Sequence, residues 1–267
     1  MRRRFTAAAL IPLLMLPVLR AEEISPGSTH TVVFRNLPQT LWSLGQPLEN
    51  KKPPAFTVWV PEDYSPARSY PLMVYMGGAR GESGHDINHL RSFMGTESFI
   101  LVSFPLFKNT DDIARHREVP TIHQLAIDPG QSELLWSAYE PMLKRLFALI
   151  PNIDPEKTFF GGFSNGAHAT AVLLNDPVAG PELRKYFNLF YFVEGGHALR
   201  LSHALPDADL LFMQGEQRAP WLEKVASPLR WNVRIGVEVR TMPGIGHAFP
   251  VAEKAWLRGW IQRKCRE

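Results

Sequence analysis

Cysteine is nearly absent, Cys265 being the one example in 267 residues. A single thiol excludes an internal disulfide framework, so a packed core must hold the fold. After the N-terminal leader no stretch is long and apolar enough to cross a bilayer. The lysine loop that cradles phosphates and the glycine fingerprint of dinucleotide binders are both missing, and no cofactor is expected. An excess of one charge is missing too. Lysine and arginine number 29 against 26 acids, but Arg2, Arg3, Arg4 and Arg20 lie in the first 21 residues, which hold no acid. Without that segment the balance is 25 against 26, a net of −1. The basic character belongs to the leader, and nucleic acid is not expected as a partner. With 45% hydrophobic and 11% aromatic residues the chain is no disordered tail, and its length suits one α/β domain.

The leader itself is informative. Arg2-Arg3-Arg4 precede an uncharged apolar run from Phe5 to Leu19, and Ala21 stands before Glu22-Glu23. A basic start, an apolar middle and a small residue at the change of charge describe a signal peptide over residues 1–21. The alternative is an uncleaved N-terminal anchor. Pro12 and Pro17, and the shortness of the run, count against a membrane span. The expectation is a secreted or periplasmic protein whose mature domain covers 22–267.

Within that domain, short apolar runs alternate with helical patterns. Candidate strands are Thr31–Arg35, Phe56–Val60, Leu72–Met76, Phe99–Ser103, Thr158–Phe160, Leu189–Val193, Leu210–Met213 and Val237–Thr241. Near-continuous Val, Ile, Leu, Phe and Tyr mark strands covered on both faces. Leu135, Tyr139, Leu143, Phe147 and Ile150 recur at helical spacing, with Pro141 expected to kink or restart the helix. Val251, Ala255, Trp256 and Trp260 predict a last amphipathic helix opened by Pro250. The alternation predicts a mostly parallel sheet of about eight strands with helices on both faces. Segment Pro105–Gln131 has no sustained period and reads either as a binding wall or lid or as a surface excursion.

The stretch Thr158-Phe159-Phe160-Gly161-Gly162-Phe163-Ser164-Asn165-Gly166-Ala167-His168-Ala169 carries chemistry. An apolar run enters Gly-x-Ser-x-Gly and a small-residue helix follows. A sharp strand-to-helix turn strains its central residue, and glycines two before and two after remove the Cβ atoms that would collide. Ser164 would project above the sheet at the positive end of the next helix. A serine hydroxyl needs a base to become a nucleophile, and the base needs a partner to hold its tautomer. Gly246-His247, on a loop after the last candidate strand, supplies a histidine in the order serine before histidine.

These residues make the chain resemble the α/β-hydrolase superfamily. The narrower likeness is to secreted esterases of the polyhydroxybutyrate depolymerase and feruloyl or acetyl esterase type and to related predicted peptidases. It is carried by Gly162–Gly166 and Gly246-His247, and also by Val58-Trp59-Val60-Pro61-Glu62-Asp63-Tyr64, Tyr70-Pro71-Leu72 and Ile153-Asp154-Pro155-Glu156-Lys157. The resemblance implies a single-domain α/β-hydrolase fold. It also implies cleavage of carboxylic esters, borne by a small molecule or a polymer, through a Ser164 nucleophile and a His247 base. The family's His-Gly after its third strand is replaced by Met76-Gly77-Gly78-Ala79. The backbone N–H of Gly78 can still form half of an oxyanion hole, with that of Asn165 as the other half. The family's Gly-x-x-Asp loop after the seventh strand reads Gly215-Glu216-Gln217-Arg218. The triad acid is therefore expected first at Glu216, then at Glu194 of Glu194-Gly195-Gly196, with another residue or none still open.

Two other functions compete. One is a ligand-binding protein, impaired or inactive as a catalyst, on the same scaffold, suggested by Arg218 and the altered third-strand loop. The other is a zinc hydrolase using His85 and His89, spaced one helical turn apart with Asp86 beside the first. A third ligand is not evident, and no metal is expected.

Overall fold

The apolar runs become the strands of one sheet. The computed structural model describes residues 24–38, 53–78, 85–107, 132–196, 208–218, 220, 226 and 236–267. The strands are β1 (Thr29–Val33), β2 (Ala55–Trp59), β3 (Tyr70–Met76), β4 (Ile100–Phe104), β5 (Ile153–Phe163), β6 (Leu189–Val193), β7 (Asp209–Gly215) and β8 (Gly236–Met242). The helices among the described residues are α1 (His85–Met94), α2 (Ser132–Leu149), α3 (Asn165–Asn175), α4 (Ala179–Arg184) and α5 (Val251–Lys264). Spatial order is β1-β2-β4-β3-β5-β6-β7-β8. The β1–β2 and β2–β4 pairs are antiparallel, and every pair from β4 through β8 is parallel. The carboxyl ends of β3, β5, β6, β7 and β8 therefore share one edge, where ligands bind in open sheets of this kind.

Alternation along each strand splits the core in two. In β3, Tyr70, Leu72, Val74 and Met76 join one apolar cluster with residues of α2, α3 and α4. Met73 and Tyr75 join the other, with residues of α1 and α5. The sheet is thus covered on both faces, as the near-continuous apolar strands require. Two phenols buried in these layers keep partners: Tyr139 donates to the Pro105 carbonyl at 2.9 Å and Tyr191 to the Val74 carbonyl at 2.8 Å. Burial pushes both phenol groups upward in pKa, so they stay neutral donors.

Three sequence expectations change. The strand expected at Thr158–Phe160 extends over Ile153–Phe163. Its first half is polar and partly exposed, and a register shift separates the Tyr70–Ile153 pair from the Leu72–Thr158 pair, so no apolar alternation marks it. Pro141 does not restart the helix, and α2 runs unbroken through it. Leu135, Tyr139, Met142, Leu143 and Leu146 are all buried along that helix, and their packing outweighs the hydrogen bond that proline removes. In α5 the buried face is Glu253, Leu257, Trp260 and Ile261, while Val251 is 79% exposed. Glu253 is drawn inward by Arg240, whose Nε and one terminal nitrogen each lie 3.0 Å from a Glu253 carboxylate oxygen. Trp256 lies beneath the Arg240 guanidinium, 5.0 Å from ring centre to cation.

Cys265 closes α5 against the second cluster, and burial pushes its thiol up to about 11. Since only the thiolate reacts, iodoacetamide at pH 7.5 should alkylate the native protein at least tenfold more slowly than the unfolded chain. Equal rates would contradict the burial of this thiol.

Candidate active site

β5 ends at Phe163 and α3 begins at Asn165, leaving Ser164 alone in the turn. Its φ of 54° and ψ of −113° place a non-glycine residue in the left-handed half of backbone space. Such strain costs on the order of 1–3 kcal/mol and survives only where the surroundings over-determine it. Here they do. Ser164 N–H donates to the Val193 carbonyl at 2.8 Å, and the Ser164 carbonyl accepts from His168 N–H at 3.1 Å. A Cβ on Gly162 would lie 2.2 Å from the Met76 carbonyl oxygen, and one on Gly166 only 2.0 Å from it. Both glycines are thus demanded by the close approach of β3, not by composition.

Two further strand ends complete the arrangement. The loop after β8 brings His247 Nε2 to 2.9 Å from Ser164 Oγ. On the far side of the ring, His247 Nδ1 lies 3.2 Å from Glu194 Oε2. Glu194 follows β6, is fully buried, and has a φ of 54°. Its other oxygen, Oε1, accepts the Gly215 N–H at the end of β7. A Cβ on Gly215 would lie 2.2 Å from the Gly246 carbonyl oxygen and 3.0 Å from Glu194 Oε1, so the bare glycine gives the histidine loop and the carboxylate room to meet. Gly78 abuts the serine: a Cβ there would lie 3.3 Å from Ser164 Cβ. Hydroxyl, imidazole and carboxylate form one continuous hydrogen-bonded chain over the carboxyl edge of the sheet. That is the geometry of a serine nucleophile with its base and acid.

No protein-family model and no curated protein matches the sequence. Solved structures do match. A dienelactone hydrolase from Anabaena variabilis superposes with a TM-score of 0.54 at 14% identity, over 88% of this chain and 97% of its own. A Bacillus cereus carboxylesterase gives 0.53 at 14% identity, over 73% of this chain and 89% of its own. Esterase 2 of Thermogutta terrifontis, phosphoramylated by tabun, gives 0.54 at 13% identity, over 93% and 96%. The chain has the α/β-hydrolase fold. None of these three is a polyhydroxybutyrate depolymerase or a feruloyl esterase, and the narrower likeness rests on the sequence motifs.

Within this fold, the chain departs from the sequence expectation at the acid. Glu216, the carboxylate favoured from sequence, does not reach His247. It sits in an exposed 3-10 turn, Glu216–Arg218, and its Oε2 accepts the Gly244 N–H at 2.9 Å. It thereby braces the loop that carries the histidine. Glu194, the second choice, occupies the place beside Nδ1. The aromatic that sequence reading missed is Phe163. Its ring stacks on the His247 imidazole at 5.4 Å and 26°, and on Phe249 at 6.1 Å and 13°. Nothing in the motif distinguishes that position, since any residue can precede the serine.

The remaining candidates fall elsewhere. His89 lies in α1 with its ring between Tyr75 and Phe93. Among the described residues no group of three or more His, Cys, Asp or Glu is arranged to hold a metal ion. Segment Pro105–Gln131 lies outside the described residues from 108 onward, as does the leader. Two cavities, of about 380 and 320 Å³, lie away from Ser164, the first at Tyr70, Asp154 and Cys265, the second between α1 and α5.

A direct check uses the His247 ring proton. The Nδ1–H resonance should appear far downfield in the wild type and in Glu216→Gln, and should move upfield or vanish in Glu194→Gln. A resonance altered by Glu216→Gln and left unmoved by Glu194→Gln would reverse the assignment.

Proposed function

We propose that the protein is an exported serine hydrolase that cleaves carboxylic esters. The observation that carries this reading is the unbroken contact chain Ser164–His247–Glu194, 2.9 Å and then 3.2 Å, on a strained strand-to-helix turn. Ser164 Oγ attacks the ester carbonyl carbon while His247 Nε2 takes the hydroxyl proton. Glu194 keeps the imidazole in the tautomer with its proton on Nδ1 and stabilises the imidazolium that forms. The N–H groups of Gly78 and Asn165 receive the developing oxyanion, aided by the positive end of α3. The tetrahedral species collapses, the C–O bond breaks, and His247 returns the proton to the leaving alcohol. Water, deprotonated by the same imidazole, then attacks the acyl-serine and releases the acid.

Export is supported by the leader over 1–21 alone. No helix among the described residues is long and apolar enough to cross a membrane. The substrate class, a small or polymer-borne ester, is supported by the reaction type and, for small esters, by the esterases that share the fold.

Purified protein should hydrolyse p-nitrophenyl acetate, and Ser164→Ala or His247→Ala should lower kcat by at least about a thousandfold. Labelling by a fluorophosphonate probe should depend on both residues, in keeping with a structural neighbour that is phosphoramylated by tabun. Equal turnover by wild type and Ser164→Ala would remove the serine from the chemistry. In a Gram-negative expression host the mature chain should be recovered outside the cytoplasm with Glu22 as its first residue, by intact mass. A chain found only in the cytoplasm with residues 1–21 intact would overturn the export assignment.

A further inference from the structure

His168 is a buried imidazole that the reaction above does not use. It lies one helical turn beyond Ser164 and is 4% exposed. Its Nδ1 accepts the Gly196 N–H at 3.3 Å. Gly196 is the second residue after Glu194, and both hold a positive φ, 84° and 54°. The turn Glu194-Gly195-Gly196 is gripped at each residue. Glu194 N–H donates to the Met213 carbonyl at 2.8 Å, and buried Gln214 donates from Nε2 to the Gly195 carbonyl at 3.0 Å. Gly196 N–H completes the set on His168. Gly195 itself rests on the serine turn, where an added Cβ would lie 2.5 Å from the Ser164 carbonyl oxygen and 3.4 Å from His168 Cδ2.

We infer that His168 is a positioning residue for Glu194: as a neutral imidazole protonated on Nε2, it accepts the Gly196 N–H and so fixes the strained turn that aims the carboxylate at His247. The inference rests on the reading of Glu194 as the partner of the catalytic histidine. The chemistry of the contact selects the residue. A backbone N–H needs an acceptor, and imidazole offers one only from its unprotonated nitrogen. Leucine is similar in bulk but leaves a buried N–H unpaired, at a net cost that relaxation of the turn would relieve. Relaxation by a few tenths of an ångström at Gly196 would be felt at Glu194, because Gly195 between them is held by Gln214 and packed on the Ser164 carbonyl. The serine turn and the acid turn are therefore joined through one side chain from the nucleophile's own helix.

The test is a double-mutant cycle on p-nitrophenyl acetate turnover and fluorophosphonate labelling. His168→Leu should lower kcat about tenfold with KM within about twofold, while His168→Asn, which keeps an acceptor near the Nδ1 position, should stay within about threefold of wild type. In a Glu194→Gln background, adding His168→Leu should change kcat less than about twofold. A further tenfold loss in that background, or no rescue by asparagine in a folded protein, would overturn the inference while leaving Glu194 as the acid. Wild-type kcat in Glu194→Gln itself would bring down the reading of Glu194, and this inference with it. If His168→Leu does not fold, the wild-type 15N imidazole spectrum decides: His168 should show a bare Nδ1 and a protonated Nε2, and a proton on Nδ1 would refute the role.

Discussion

The carboxylate of Glu194 is the constraint around which the site is assembled. It is fully buried, and a buried charge is tolerated only with partners on both oxygens. Those partners come from different strand ends: Gly215 N–H at the end of β7 and His247 after β8. Strand order makes the reach intelligible. β7 separates β6 from β8, so a side chain rooted after β6 must pass over one whole strand, across spacings of about 4.8 Å each. Glutamate is one methylene longer than aspartate, and Gly215 has no side chain to bar the way. Residue length at 194 and the bare backbone at 215 thus answer one geometric demand. An acid placed after β7, the position the family motif points to, would need neither.

Two residues of the proposed triad, Ser164 and Glu194, both have a positive φ, 54° in each, uncommon outside glycine. Each ends a neighbouring parallel strand, β5 or β6, and each turns sharply before the chain leaves the sheet. A relaxed backbone at either point would swing its functional atom away from His247. The strain is held by hydrogen bonds that cross between elements: Ser164 N–H to Val193, Glu194 N–H to Met213. Each strand's turn is therefore tied to the end of the next strand in the sheet. Such interlocking suits a site whose atoms must be placed before substrate arrives, because preorganised groups need not reorganise during reaction.

Much of this was legible in the residues and some was not, for physical reasons. Strands β2, β3, β4, β6 and β7 announce themselves because both sheet faces are covered there, which makes their apolar runs nearly continuous, whereas the edge strands β1 and β8 are part-exposed and carry a weaker signal. β5 is the exception at its start, where Asp154-Pro155-Glu156-Lys157 extends past the core and looks like loop. The α5 face was misread because Glu253 is counted as polar by any periodicity, yet is drawn inward by Arg240. The Ser164 turn was legible because its glycines are steric necessities against Met76. The acid was harder. Glu216 and Glu194 both follow strands and both neighbour glycine, and only the sheet order together with Gly215 separates them. The stacking of Phe163 on His247 leaves no trace in the sequence, since it depends on how a loop eighty residues later folds back.

The loop after β3 shows how a missing side chain is replaced by closeness. Where the family resemblance leads one to expect a histidine before the glycine, this chain has Met76 followed by Gly77 and Gly78. The Met76 carbonyl instead presses against the Cα positions of Gly162 and Gly166, and Gly78 lies against Phe163 and Ser164. An added carbon at Gly162 or Gly166 would shut out the Met76 carbonyl, and one at Gly78 would crowd the Phe163 ring. A strand end held by backbone-to-backbone packing has few alternative positions, because a void or a clash of one methyl group is already costly in a dense interior. Steric fit between β3 and the serine turn thus takes over the holding role that a polar side chain would have had. The same packing presses Phe163 toward His247, so the segment that would receive the oxyanion and the ring that stacks on the base are set by one contact surface.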